Sequence, residues 1–98
     1  MVVAGLGGVL VETHRDVQLA VAPVDTGQAR AMLSSLRGAA IFSGLRGSPP
    51  VHLGFVAETI VAIGDLMVAY PQIAELDLNP VLAGPDGCLA VDWRISTR

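Results

Sequence analysis

Hydrophobic and polar residues alternate most cleanly in the last third of the chain. In Glu75-Leu76-Asp77-Leu78-Asn79-Pro80 the leucines share one face of a strand, and Glu75, Asp77 and Asn79 share the other. From Leu89 to Ile95, the residues Leu89, Val91, Trp93 and Ile95 oppose Ala90, Asp92 and Arg94. A period of two is the signature of half-buried strands. Gly84-Pro85-Asp86-Gly87 lies between the two legs and carries turn chemistry, with proline pre-set for the second turn position. A turn with Gly84 and Gly87 as its shoulders pairs Leu82 with Leu89, Leu78 with Trp93 and Leu76 with Ile95. The same register sets Asn79 against Asp92 and Asp77 against Arg94. A slip of one residue would mix the faces, so the hydrophobic pattern selects this pairing.

Upstream, the glycine-rich stretch Met1–Gly8 leads into a first hairpin. Its strands are Val9–Glu12 and Val17–Ala22, joined by the polar turn 13–16 and ended by Pro23. Asp25 with Gln28 three residues later forms a capping-box pattern. Ala29, Met32, Leu33 and Leu36 follow at helical spacing, with Arg37 in the last turn and Gly38 suited to the position just past it. The first helix is therefore expected over 26–37, followed by a loop over 39–47. Ser48 can cap a second helix that enters through Pro49 and Pro50 and stops at Tyr70, before Pro71. Its core stripe is Leu53, Val56, Ala57, Ile60, Ile63, Met67 and Val68. Val51, Phe55, Val61 and Leu66 spread apolar surface beyond that stripe, so this helix must be covered on more than one side. The order is β-β-α-α-β-β, an α+β fold with a mostly antiparallel sheet and two helices on one face.

Composition sharpens this picture. Ninety-eight residues make one small domain, yet 52% are hydrophobic and 15% charged. A free-standing small domain carries more surface charge than that, so 1–98 reads as a piece of something larger, or as a chain that self-associates through the apolar helix 50–70. The net charge of −3, without a basic run, speaks against nucleic acid as a partner. All six basic residues are arginine, which excludes a P-loop lysine or a Schiff-base lysine within this chain. Cys88 is the single cysteine, so no internal disulfide forms, and the chain suits a reducing cytoplasm. Val51 to Tyr70 is long enough to cross a bilayer, but Glu58 and Asp65 within it argue for a soluble helix. Met1 is followed by no basic segment of the kind that opens a secretory signal.

Candidate chemistry collects on the polar face of the last two strands. Directly opposed residues have Cβ atoms roughly 5 Å apart, so Asp77, Asn79 and Asp92 could share one ion. Three oxygen donors suit Mg²⁺, which completes its shell with waters and phosphate oxygens. The competing reading is a solvated strand face with Asp77 paired to Arg94. Arg46, between glycines, could reach an anion or be a solvated loop residue. Glu12 ends a strand. His14 and His52 lack metal-ligand spacing, and no Ser/His/Asp or Cys/His arrangement is supported.

Six segments in order then resemble one family: Gly7-Gly8-Val9-Leu10-Val11-Glu12, Asp16-Val17, Leu36-Arg37-Gly38, Arg46-Gly47-Ser48-Pro49-Pro50, Glu75 through Pro80, and Ala90-Val91-Asp92. The chain is similar to the C-terminal part of the ATP-grasp domain of NDP-forming acyl-CoA synthetases, relatives of the succinyl-CoA synthetase β subunit. The resemblance implies that Asp77, Asn79 and Asp92 hold the Mg²⁺ of an ATP or ADP, and that Glu12 closes a strand lining that site. It also implies a reaction converting acyl-CoA, ADP and phosphate to acid, CoA and ATP through a phosphohistidine. The partners it implies are an N-terminal ATP-grasp subdomain and CoA-binding domains, whose lysine and relay histidine this chain does not supply, so that the chain alone is inactive. His52 stands where the family usually has an acidic residue, and Trp93 where a small one is usual. Two other readings compete: a regulatory ATP-grasp-like domain of a multidomain protein acyltransferase, and a free-standing dimeric α+β interaction module.

Overall fold

The computed structural model describes residues 1–6, 16–44 and 50–98. The elements run β1 (Val2–Gly5), β2 (Val17–Ala20), α1 (Thr26–Ser34), a 3₁₀ turn (Ala39–Ser43), α2 (Leu53–Ala69), β3 (Ile73–Leu78), β4 (Val81–Gly84), β5 (Gly87–Ala90) and β6 (Trp93–Thr97). The fold is α+β, with three two-stranded antiparallel ladders, β1–β2, β3–β6 and β4–β5.

The stretch Val2–Gly5, read as a glycine-rich approach, is itself a strand: Val2 pairs with Ala20 and Gly5 with Val17. Val2 and Ala4 turn toward the helices while Val3, Val17 and Leu19 stay exposed, which is ordinary strand alternation with an apolar residue on both faces. The expected strand Val9–Glu12 and the turn 13–15 lie outside the described residues.

The capping box at the start of α1 is formed. Gln28 N–H donates to Asp25 Oδ1 at 2.7 Å, and Asp25 N–H donates to Gln28 Oε1 at 3.0 Å. The helix ends at Ser34, three residues before the expected 37: Leu36 N–H turns to the Leu33 carbonyl, and Asp16 takes the two amides after it. Its two carboxylate oxygens accept from Arg37 N–H (2.7 Å) and Gly38 N–H (2.8 Å), tying the start of β2 to the end of α1. A Cβ on Gly38 would collide with the Leu6 side chain. Ala39–Ser43, expected as loop, winds into a 3₁₀ turn.

Helix α2 begins at Leu53, later than expected, since Val51 N–H donates to Phe42 C=O (2.8 Å) and His52 N–H to Gly84 C=O (3.0 Å). These ties keep both residues extended. The expected cap Ser48, with Pro49, lies outside the described residues. One side of α2 packs into the core of Val2, Val24, Ala29, Met32, Leu33, Leu36, Ala57 and Ile60. Gly64 is buried there too, and a Cβ on it would lie 3.5 Å from the Val24 nitrogen. The other side of α2 faces the C-terminal ribbon, which meets the expectation of two-sided cover. Val68, expected in the core stripe, is exposed.

The ribbon keeps the expected register. Leu76 pairs with Ile95, Asp77 with Arg94 and Leu78 with Trp93; beyond them Leu82 pairs with Leu89 and Gly84 with Gly87. Its faces, however, change places halfway. In a regular antiparallel ladder only alternate residues turn their N–H and C=O toward a given partner. Here Asn79 N–H donates to Asp92 C=O (3.1 Å), and the very next residue, Pro80, accepts from Val91 N–H (3.0 Å). Two consecutive residues face the partner strand, so the ladder gains one step of phase and the ribbon rolls over at this joint.

The packing on either side shows the roll. Before the joint, Leu76, Leu78, Trp93 and Ile95 face α2, forming an open apolar groove of about 420 Å³ with Thr59, Ala62, Ile63 and Leu66. After it, Cys88, which plain alternation places on the opposite face, turns to the same helix and lies 3.4 Å from Thr59 Oγ1. Leu82 and Leu89 therefore point away from the helix, 59% and 66% exposed, rather than joining the Leu78–Trp93 face as the alternation alone implies.

Candidate functional site

Asp77 and Asn79 end the β3 leg, and Asp92 precedes β6 by one residue. Asp77 lies opposite Arg94 in the ladder, and Asn79 lies opposite Asp92 with their backbones hydrogen-bonded. Directly opposed residues in an antiparallel pair project to the same side. Asp77, Asn79 and Asp92 are all exposed, on the side of the ribbon away from the groove that Leu76 and Leu78 line with α2.

The Asp92 carboxylate is not free to swing. Its Oδ1 accepts from Trp93 N–H at 2.9 Å, which leaves the second oxygen for another partner. A carboxylate held by a backbone amide is what orients a metal ligand. The donor set comprises two carboxylates and an amide oxygen, all hard ligands on one side of a sheet, and it fits Mg²⁺ with room for waters and phosphate oxygens. Among the described residues no three His, Cys, Asp or Glu side chains gather into a group that could hold a metal ion. Asn79 is the member that a search for charged ligands passes over.

Glu12 and Arg46, the two residues expected at the nucleotide, lie outside the described residues, as does His14. His52 is the N-cap residue of α2; its side chain makes no capping hydrogen bond and stacks against Phe55 with ring centroids 4.4 Å apart. Sequence reasoning missed Asp16 as a structural residue. The available signal was an aspartate immediately before a strand, paired with a helix-ending Arg-Gly whose amides needed an acceptor. No helix among the described residues is long and apolar enough to cross a membrane.

Comparison with known proteins adds the family. A model of the ATP-grasp domain matches residues 1–97. The β subunit of the ADP-forming acetate–CoA ligase I of Pyrococcus furiosus is 39% identical over 94 residues, covering 96% of this chain and 40% of that subunit. A trans-feruloyl-CoA synthase from an unidentified prokaryote is 41% identical over 87 residues, covering 89% of this chain and 12% of its own. Among solved structures, a dinucleotide-forming acetyl-coenzyme A synthetase 1 of Ca. Korarchaeum cryptofilum, in complex with coenzyme A and Mg-AMPPCP, superposes with a TM-score of 0.92 at 40% identity. That match covers 98% of this chain and 45% of the other. The chain thus spans less than half the length of each of these relatives.

Proposed function

Since the chain belongs to the ATP-grasp domain family of ADP-forming acyl-CoA synthetases, we propose that it supplies the Mg-nucleotide-holding part of such a ligase. The observation that carries this reading is the Asn79–Asp92 backbone pairing, which sets an amide and a carboxylate on one side of the ribbon beside Asp77. Asp77, Asn79 and Asp92 would hold the Mg²⁺, while Glu12 and Arg46 would line the nucleotide's phosphates. When bound, the ion offsets the charge on the phosphate oxygens of the ATP or ADP. This chain's own part is to fix the ligands: Trp93 N–H orients the Asp92 carboxylate, and the cross-strand bond sets the spacing to Asn79.

The overall reaction on this reading converts acyl-CoA, ADP and phosphate to the acid, CoA and ATP. Its other groups come from elsewhere: this chain has no lysine for the phosphates, and neither histidine sits in a motif suited to a phosphohistidine relay. The remaining ATP-grasp subdomain and the CoA-handling domains are the partners, and the isolated chain is inactive. Outside that assembly it self-associates, through the apolar residues that α2 leaves exposed (Phe55, Leu66, Val68). Relatives acting on acetate and on ferulate match the same segment with similar identity, so choice of the acyl group belongs to other parts of the enzyme. The ligase and synthase relatives favour this reading over a regulatory domain of a protein acyltransferase or a free-standing interaction module.

The test is substitution in the intact ligase. Asn79→Ala and Asp92→Ala each lower turnover at limiting Mg²⁺ on the order of a hundredfold, the upper end of what even outer-shell changes cost at metal sites, while the melting temperature holds. Turnover at the wild-type rate in Asp92→Ala overturns the assignment.

A further inference from the structure

Thr59 occupies an unusual place on α2, because it faces the ribbon on both sides of the roll. Its side chain lines the groove with Leu76, Leu78, Trp93 and Ile95 before the joint. Its hydroxyl lies 3.4 Å from Cys88 Sγ beyond the joint and donates at 3.0 Å to the Phe55 carbonyl one turn back. Cys88 Sγ also points at that carbonyl, at 3.7 Å. A second tie holds the ribbon tip to the start of the helix, His52 N–H to Gly84 C=O at 3.0 Å. Asn79 and Asp92 lie at the joint itself, between the groove-lining residues on one side and the tip held at Gly84 and Cys88 on the other.

The direction in which that pair projects depends on how far the ribbon has rolled at the joint. A two-stranded ribbon twists readily, and no buried side chain occurs anywhere in 71–98 to hold the twist from within. The helix must set it from outside. We propose that Thr59 is a positioning residue for the Asn79–Asp92 pair: by holding Cys88 just beyond the joint, from a place that also faces the groove before it, it sets the roll that aims the two oxygen ligands at a common point. This rests on the reading of Asp77, Asn79 and Asp92 as ligands to the nucleotide's divalent cation. Thr59 touches neither the cation nor the nucleotide in this arrangement, and its hydroxyl acts only through Cys88.

Titration of Mn²⁺ into the intact ligase with ADP, followed by electron paramagnetic resonance, tests the proposal independently of turnover. Thr59→Val keeps the branched shape and removes the hydroxyl. It raises the Mn²⁺ dissociation constant roughly tenfold, the lower end of the effect of second-layer residues on metal affinity. Its melting temperature and its kcat at saturating Mg²⁺ stay at the wild-type values. Thr59→Ser restores wild-type affinity, which a purely structural loss would not predict. Should Thr59→Val fail to fold, Cys88→Ala removes the same contact from the ribbon side and is expected to weaken Mn²⁺ to the same extent. Wild-type affinity in the folded Thr59→Val, or in Cys88→Ala, overturns the positioning role while leaving the ligand assignment standing. Wild-type affinity in both Asn79→Ala and Asp92→Ala removes the ligand assignment, and the positioning role with it.

Discussion

The two halves of the molecule use hydrophobic residues in opposite ways. The part of the chain up to the end of α2 contains every buried apolar side chain among the described residues, from Val2 and Val24 to Ala57 and Ile60. The ribbon from Ile73 to Thr97 contains none, although its apolar alternation is the most regular in the chain. Trp93 lines the groove against α2 and is still 66% exposed. Regular alternation therefore records which faces exist and leaves open whether this chain covers them. The buried core resides in the first half; the candidate oxygen donors and the roll beside them belong to the second.

Substitutions can break or sharpen that contrast. Leu33→Ala removes a side chain from the centre of the α1 core and is expected to cost about 3 kcal/mol in chemical denaturation. A loss below about 1 kcal/mol would deny the first half its role. Asp25→Ala abolishes both bonds of the capping box and is expected to cost about 1 kcal/mol, readable as a lower melting temperature. Leu89→Asn, on the outward face of the ribbon, is expected to stay within about 0.5 kcal/mol of wild type. A large loss there would mean that the ribbon has a core of its own.

Much of this was legible from residue order. The capping box, the buried stripe Ala29, Met32, Leu33 and Leu36, and the ribbon register all follow from local chemistry, since the turn at Pro85-Asp86 and the hydrophobic pattern point the same way. What escaped was set by contacts distant in sequence. Past the early end of α1 the amides go to Asp16, some twenty residues upstream, and the late start of α2 comes from carbonyls of Phe42 and Gly84. The strand Val2–Gly5 escaped because it is too short and glycine-bound to announce itself. At the site, the pairing of Asn79 with Asp92 could be deduced from the turn together with the hydrophobic pattern. The roll beside it could not, because it arises from one extra hydrogen bond at a proline.

That extra bond carries a rule for reading sequences of this shape. An inside–outside profile carried in step through Asn79-Pro80 assigns Leu82, Leu89 and Cys88 to the wrong sides of the hairpin tip. Restarting the count at the proline assigns all three correctly. A one-residue insertion or deletion in the same spot would trade those sides again, bringing the tip leucines onto α2 and sending the thiol out to water.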